Sequence, residues 1–163
     1  MRYAMTFAKG AALLLLVFAM SAAQARAQNQ TPANTASVAP VGWTDPATGL
    51  TWTMADNGSD VNWNQANAYC LNLRLGGYSD WRLPTIDELQ GTYDPGIDVP
   101  GHLWKGEATT FHVKGNLKLS GGFQWSSTQK NAGQAWYIFL RNGKRYSIQL
   151  SDSYGWRALC VRR

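Results

Sequence analysis

The sequence predicts an α+β fold with two helices, a strand-rich C-terminal part and a long irregular loop region between them. Three observations support this class. Two helix-start patterns lie within residues 62–88, apolar periodicity is lost over residues 91–122, and alternating apolar and polar residues follow residue 123. The order of the elements along the chain therefore indicates the class.

The N-terminal residues have the pattern of an export signal. Arg2 and Lys9 give a basic start, residues 10–20 are apolar, and Ala25-Arg26-Ala27 offers small residues for cleavage. The apolar run is about half of the roughly 20 residues that span a bilayer, so we expect no membrane span in the mature chain. The sequence predicts a signal peptide over residues 1–27 and a periplasmic, cell-surface or extracellular location.

Residues 28–41 are uncharged, rich in Gln, Asn, Thr, Ala and Pro, and without an apolar face, which is typical of a flexible linker. Residues 42–163 then suffice for one domain with a single core. Three of the 15 Lys and Arg residues, and none of the 10 Asp and Glu residues, belong to the signal. The mature chain is therefore close to neutral, and nucleic acid is not an expected partner.

The chain has two cysteines, Cys70 and Cys160. In an exported protein such a pair is usually oxidised, so the sequence predicts a disulfide. The alternative is a metal-binding or catalytic thiol, but no second cluster of ligands accompanies either cysteine.

The first predicted helix follows the turn at residues 56–60. Asn62 can cap it with Gln65 three residues later, and Cys70 belongs to a row of small and apolar residues at helical spacing. Gly76-Gly77 is expected to stop the helix. Cys70 is therefore predicted to point inward.

The second predicted helix begins with a capping box formed by Thr85 and Glu88. Asp87 and Glu88 resemble an acid/base pair, but the preference for acidic residues in the first turn explains both. We therefore expect a structural role for them.

Strands are predicted at residues 50–54, 123–127, 134–140, 144–150 and 155–162 from alternation of apolar and polar residues. The sequence Arg141-Asn142-Gly143 contains an Asn-Gly pair, which indicates a hairpin between the third and fourth of these strands. Residues 91–122 contain seven glycines and two prolines and are expected to be an irregular loop.

Several blocks of the sequence resemble one known family. These blocks are TGLTW at 48–52, the helix that contains Cys70, GYSDWRLPTIDEL at 77–89, WSST at 125–128 and GWRALCVR at 155–162. Together they resemble the Lcl C-terminal domain family, and GYSDWRLPT is the most specific of them.

The resemblance implies a C-type lectin-like fold, close to that of the formylglycine-generating enzymes, with two helices, a mixed antiparallel sheet and a long loop region. It also implies a disulfide from the first helix to the last strand, here Cys70 to Cys160. The family's namesake is the tip of a collagen-like adhesin that binds sulfated polysaccharide. This chain lacks Gly-X-Y repeats, a Glu-Pro-Asn calcium loop and neighbouring reactive cysteines, so the collagen stalk, the lectin calcium site and formylglycine chemistry are not carried over.

The candidate ligand-binding residues are Arg141, Lys144, Arg145 and Tyr146 around the predicted hairpin, and Trp104 in the loop. Arginine pairs well with sulfate or phosphate oxygens, and aromatic rings can contact sugar faces. A solvated, charged hairpin tip is the plainer alternative.

For Trp104 the alternative is anchoring of the loop in the core. The remaining tryptophans on predicted elements are expected to pack in the core: Trp52, Trp63, Trp81, Trp125, Trp136 and Trp156.

Catalytic motifs and phosphate-binding glycine loops are absent from the sequence, so we expect no enzyme and no cofactor. We expect a secreted or surface module that binds a glycan, such as a sulfated polysaccharide, or another polyanionic ligand. A protein-interaction or envelope-assembly domain that binds an envelope or host surface protein is the alternative. The least favoured class is a metal-dependent enzyme that uses loop residues, namely Asp94, Asp98, His102, Glu107 and His112.

Overall fold

The computed structural model describes residues 41–104 and 107–163. The predicted signal peptide and nearly all of the predicted linker lie outside the described residues, so both stay predictions. The described helices and strands are β1 (Gly42–Thr44), β2 (Thr51–Thr53), α1 (Trp63–Asn72), α2 (Ile86–Thr92), β3 (Tyr93–Trp104), β4 (Glu107–Val113), β5 (Phe123–Asn131), β6 (Gln134–Phe139), β7 (Lys144–Gln149), β8 (Trp156–Arg157) and β9 (Val161–Arg162). The α+β class is confirmed.

The strands form three sheets in the part of the chain that is described. One has the order β1-β2-β9 and is antiparallel, and a second is the β3-β4 ribbon. The third has the order β7-β6-β5-β8, with β5 and β8 parallel and the other neighbours antiparallel. The predicted hairpin at residues 141–143 is confirmed, because β6 and β7 pair in register on either side of it.

The irregular loop expected over residues 91–122 is partly wrong, because β3 and β4 form an antiparallel ribbon there. In β4 the side chains of Thr109, Phe111 and Val113 are buried in alternation. In β3 the prolines and glycines interrupt that alternation, and the pairing register shifts twice. Those breaks hid the strand pattern in the sequence.

The single last strand predicted over residues 155–162 is also wrong, because the segment divides into β8 and β9, which belong to different sheets. Between them the backbone is held by neighbours outside the four-stranded sheet. Asn57 N donates to Ala158 O at 3.0 Å, and Thr53 N donates to Cys160 O at 3.0 Å. The segment thus crosses from one sheet to another, with Ala158, Leu159 and Cys160 fully buried.

Both predicted helix starts are confirmed as capping boxes. The Asn62 side chain accepts from Gln65 N at 3.0 Å, and Asn62 N donates to the Gln65 side chain at 2.9 Å. Thr85 and Glu88 make the same reciprocal pair at 3.2 and 2.8 Å. Each box satisfies two backbone donors that the first turn of a helix leaves without partners.

The predicted disulfide between Cys70 and Cys160 is confirmed, with a Cα–Cα distance of 5.5 Å. It closes a separation of 90 residues between α1 and the segment before β9. Both cysteines are fully buried in a core cluster with Trp81 and Trp125. A second cluster, between α2, the β3-β4 ribbon, β6 and the β1-β2-β9 sheet, includes Trp52, Leu89, Phe111 and Ile138.

The expected packing role holds fully for Trp52, Trp81 and Trp125, which are buried. The Trp125 indole N–H donates to Val61 O at 2.9 Å, so its polar edge has a partner. Trp63, Trp136 and Trp156 are half-buried. Among the described residues, neither helix has the length and apolar character needed to cross a membrane.

The GYSDWRLPT block makes side-chain and backbone contacts with two other parts of the domain. The Arg82 guanidinium donates to both carboxylate oxygens of Glu88 at 2.7 Å, and Arg82 and Val161 exchange backbone hydrogen bonds at 2.9 Å. Asp80 accepts from Arg162 at 2.7 Å, and the Arg162 guanidinium lies 3.5 Å from the centre of the Tyr78 ring. The block therefore connects α2 to the C-terminal strand.

Candidate functional site

A cavity of ≈ 670 Å³ opens at one end of the four-stranded sheet. One wall comes from the ribbon, through His102, Thr109 and Phe111, and another from Tyr154 and Gly155 in the loop before β8. This volume is in the range of ordinary small-ligand sites.

The aromatic wall of the cavity follows from strand pairing. Phe123 of β5 is the Cα partner of Phe139 in antiparallel β6 and of Trp156 in parallel β8, so the three side chains share one face. The Phe123 ring lies 4.5 Å from the Phe139 ring and stacks on Trp156 at 5.5 Å. Buried Trp125 stacks behind Trp156 at 5.9 Å and supports it.

Glycine at residue 122 permits the close approach of the ribbon to this wall. A Cβ at Gly122 would lie 2.7 Å from the Phe111 ring and 3.1 Å from the Phe139 ring. Any larger residue would force the two walls of the cavity apart.

The polar side of the cavity rests on a buried network centred on Asp56. Its carboxylate accepts from Ser120 Oγ at 2.7 Å, from Ser120 N at 2.9 Å and from Gln124 Nε2 at 3.1 Å. The Ser120 hydroxyl in turn accepts from Arg157 Nε at 2.8 Å. Asp56 thus positions Arg157, which lines the cavity, through a single serine.

Arg157 also forms an ion pair with Asp60, another residue that lines the cavity. Burial by itself would raise the pKa of Asp60, but the hydrogen bonds from Arg157 and from Gly155 N–H, together with the charge of Arg157, hold it below its ordinary value. Asp60 therefore stays a carboxylate at neutral pH. The side chain of Arg157 is only 14% exposed, so its orientation is set before any ligand arrives.

Two exposed side chains, those of Tyr154 and Arg141, lie at the mouth of the cavity. Tyr154 is 79% exposed, and Arg141 is exposed just beyond the end of β6. No ion pair of Arg141 is present within residues 41–104 and 107–163. An unpaired guanidinium beside exposed aromatic rings suits an anionic ligand that also has an apolar face.

The structure separates the predicted site residues. Arg141 lines the cavity, and Lys144 and Tyr146, the Cα partners of Phe139 and Tyr137, share the face of the aromatic wall. Arg145 lies on the opposite face, where it donates to Asp87 at 2.6 Å and to Gln90 at 2.9 Å. Trp104 ends β3, but its side chain lies outside the described residues.

Of the residues that line the cavity, the sequence points to Arg141 and, for the metal alternative, to His102, but not to most of the others. Trp156 has the spacing of a strand residue and is expected to pack in the core, and Phe139 lies beside the predicted hairpin. Asp60 and Tyr154 lie in loops without any motif. No local pattern could have found them, because strand pairing and the crossing C-terminal segment bring them together.

The five loop residues of the metal-dependent alternative do not come together as a metal site among the described residues. In the described part of the chain, no group of three or more His, Cys, Asp or Glu side chains has the arrangement of a metal site. Asp98 and His112 face each other across the ribbon at 2.9 Å, His102 packs against Phe111, and Asp94 accepts from Gly96 N. Glu107 lies at the far end of the ribbon, opposite Trp104.

Comparison with known proteins places this architecture in a family. No curated protein sequence matches the chain. The family description "Lcl C-terminal domain" matches residues 42–162, which include both helices, all three sheets, the disulfide and the cavity. The chain therefore belongs to the Lcl C-terminal domain family.

Proposed function

We propose that the domain is a non-catalytic binding module of an exported protein and that it recognises a glycan or another polyanionic ligand in the cavity. The combination of half-exposed aromatic rings with the guanidinium of Arg141 and the prearranged Arg157–Asp60 pair around one opening supports this most strongly. Aromatic faces pack against the apolar faces of sugar rings, and guanidinium groups pair with carboxylate, sulfate or phosphate oxygens.

The state of Asp60 favours binding over catalysis. Asp60 is the carboxylate of the cavity, and Arg157 holds its pKa below the ordinary value. Such a carboxylate is a weak base and a poor proton donor at neutral pH. It is well suited to accept hydrogen bonds from ligand hydroxyl groups.

The disulfide supports an exported location. Disulfides persist in the periplasm, at cell surfaces and outside cells, and are rare in the cytosol. A periplasmic, cell-surface or extracellular location is therefore part of this proposal, as is binding without a cofactor.

Arg141 and Arg145 provide a matched test, because Arg141 lines the cavity, whereas Arg145, four residues later, lies on the opposite face of the sheet from the aromatic wall and pairs with Asp87. Glycan-array screening of the oxidised protein identifies the acidic glycan that binds most strongly. Calorimetry should then show that Arg141→Gln lowers the affinity for that glycan about tenfold, or ~1.4 kcal/mol. Its salt dependence should also flatten. Arg145→Gln should bind as the original protein does.

Tyr154→Ala gives an independent test at the other side of the cavity mouth. It should lower the affinity for acidic and neutral glycans alike. If neither Arg141→Gln nor Tyr154→Ala changes binding of a glycan that the protein retains, the cavity is not the site. If the array shows no glycan, and a protein captured from an envelope extract is lost with both variants, the protein-interaction alternative replaces the proposal.

A further inference from the structure

The row of aromatic rings in the cavity continues outside it along the same face of the sheet. The Trp156 ring meets the Tyr137 ring edge-on at 5.6 Å, and Tyr137 stacks on Tyr146 at 5.7 Å. One ring therefore separates the cavity wall from Tyr146, which lies on the edge strand β7.

Tyr146 is both exposed and held in place. The residue is 39% exposed, Tyr137 supports one face of its ring, and the Asn142 side chain donates to its hydroxyl at 3.4 Å. Burial, and secondarily the neighbouring Tyr146, raise the pKa of Tyr137, so its hydroxyl stays neutral. A large ring ordered in advance contacts a ligand at low cost in conformational entropy.

The charge beside this ring is positive. Lys144 is exposed two residues earlier on the same strand, and its Cα partner is Phe139 of the cavity wall, so it lies on the same face as Tyr146. No ion pair of Lys144 occurs among the described residues. The negative charge of Asp60 in the cavity is already matched by Arg157.

We propose that Tyr146 and Lys144 form a second subsite, and that the ligand is a linear acidic oligosaccharide with one unit in the cavity and a following unit over Tyr146 beside Lys144. This inference rests on the proposed function, because the first unit occupies the proposed cavity site. Two subsites on one rigid face make the second contact intramolecular, so affinity should rise with chain length.

The test measures affinity for oligogalacturonates of increasing length, from the monomer to the octamer, by calorimetry. Affinity for the original protein should rise about tenfold between the monomer and the tetramer and change little beyond it. Tyr146→Ala combined with Lys144→Gln should abolish the rise while leaving monomer binding unchanged. Arg145→Gln, on the opposite face, is the matched control and should keep the full rise.

Binding that is lost in Tyr154→Ala but independent of length would overturn the second subsite and leave the proposed function standing. Retention of the length dependence in the Tyr146 and Lys144 double variant would also overturn it. Absence of binding at every length would overturn the acidic oligosaccharide proposal itself, and the glycan array then decides the proposed function separately. Thermal unfolding of each variant identifies any loss of binding that results from misfolding.

Discussion

The two faces of the four-stranded sheet carry similar residues in different surroundings. On one face, which we term the helix face, Ile138 is fully buried, and Arg145 is paired with Asp87 of α2. On the other, the aromatic face, Phe139 and Tyr146 stay partly exposed, and Lys144 has no ion pair among the described residues. Chemically similar neighbours along the chain therefore differ in role according to what covers them.

This difference shows how far a charge cluster in a sequence can mislead. Arg141, Lys144 and Arg145 are close in the chain, but a side chain in a strand points away from the side chain next to it. The charge of Arg145 is taken up by Asp87 of α2, whereas Lys144 on the other face has no ion pair among the described residues. The comparison predicts that changes on the helix face alter stability, whereas changes on the aromatic face alter binding.

The largest effect should come from the disulfide, which lies in the core that supports the aromatic face. Cys70→Ala with Cys160→Ala should lower the free energy of unfolding by about 4–5 kcal/mol, because a crosslink over 90 residues restricts the unfolded chain. Urea denaturation measures the change. A loss well below 2 kcal/mol would mean that packing alone holds α1 to the C-terminal segment.

Ile138→Ala should have the next largest effect, at about 2–5 kcal/mol, because it leaves a cavity beneath α2 where the side chain is fully buried. Its folded form should keep glycan binding. Tyr146→Ala is the matched control on the aromatic face and should alter stability by about 0.2–1 kcal/mol, because its ring is partly exposed and stacks only on its cross-strand neighbour Tyr137. Equal losses of stability from the two variants would refute the comparison.

Glu88→Gln should cost about 1–2 kcal/mol at neutral pH through loss of the charged hydrogen bonds to Arg82. The Arg82 hydrogen bond is the largest influence on the pKa of Glu88, and the net effect lowers it despite opposing desolvation. The folded pKa lies below the unfolded one, so this stability is present above the unfolded pKa and is lost as pH falls through the folded pKa. Urea titrations across the acidic range should therefore show a shallower pH dependence in the variant. An identical pH dependence of the free energy of unfolding in the two proteins would contradict this prediction.

Arg145→Gln should have the smallest effect, about 0.2–1 kcal/mol, because its ion pair with Asp87 is largely solvated. Thermal unfolding at low and high salt measures this, and the difference from the original protein should shrink in high salt. A loss of glycan binding in this variant would place the site on the helix face and reverse the comparison.

Much of the fold could be predicted because its signals are local. The capping pairs at Asn62 and Thr85 begin both helices where predicted, and the Asn-Gly hairpin joins β6 to β7. The ribbon and the divided C-terminal strand could not be predicted. Their hydrogen bonds depend on partners distant in the chain, such as Leu140 for His112 and Asn57 for Ala158.

The candidate site was predictable only in part, and the sequence blocks that suggested the family explain why. Residues of those blocks mainly hold the fold together. Arg82 donates to Glu88, and the Ser126 hydroxyl donates to Trp136 O. The cavity instead collects single residues from distant segments, such as Asp60 and Tyr154. These residues have no shared spacing that could be recognised.

The sequence by itself determined the α+β class, the helix starts, the family and the pairing of Cys70 with Cys160. Each depends on short-range periodicity, on capping chemistry, on short sequence blocks or on the presence of just two thiols. Only the tertiary structure decided which cations line the cavity and which aromatic rings stay open. That outcome depends on which face α2 covers and on where the C-terminal segment crosses between sheets, and contacts between residues far apart in the chain set both.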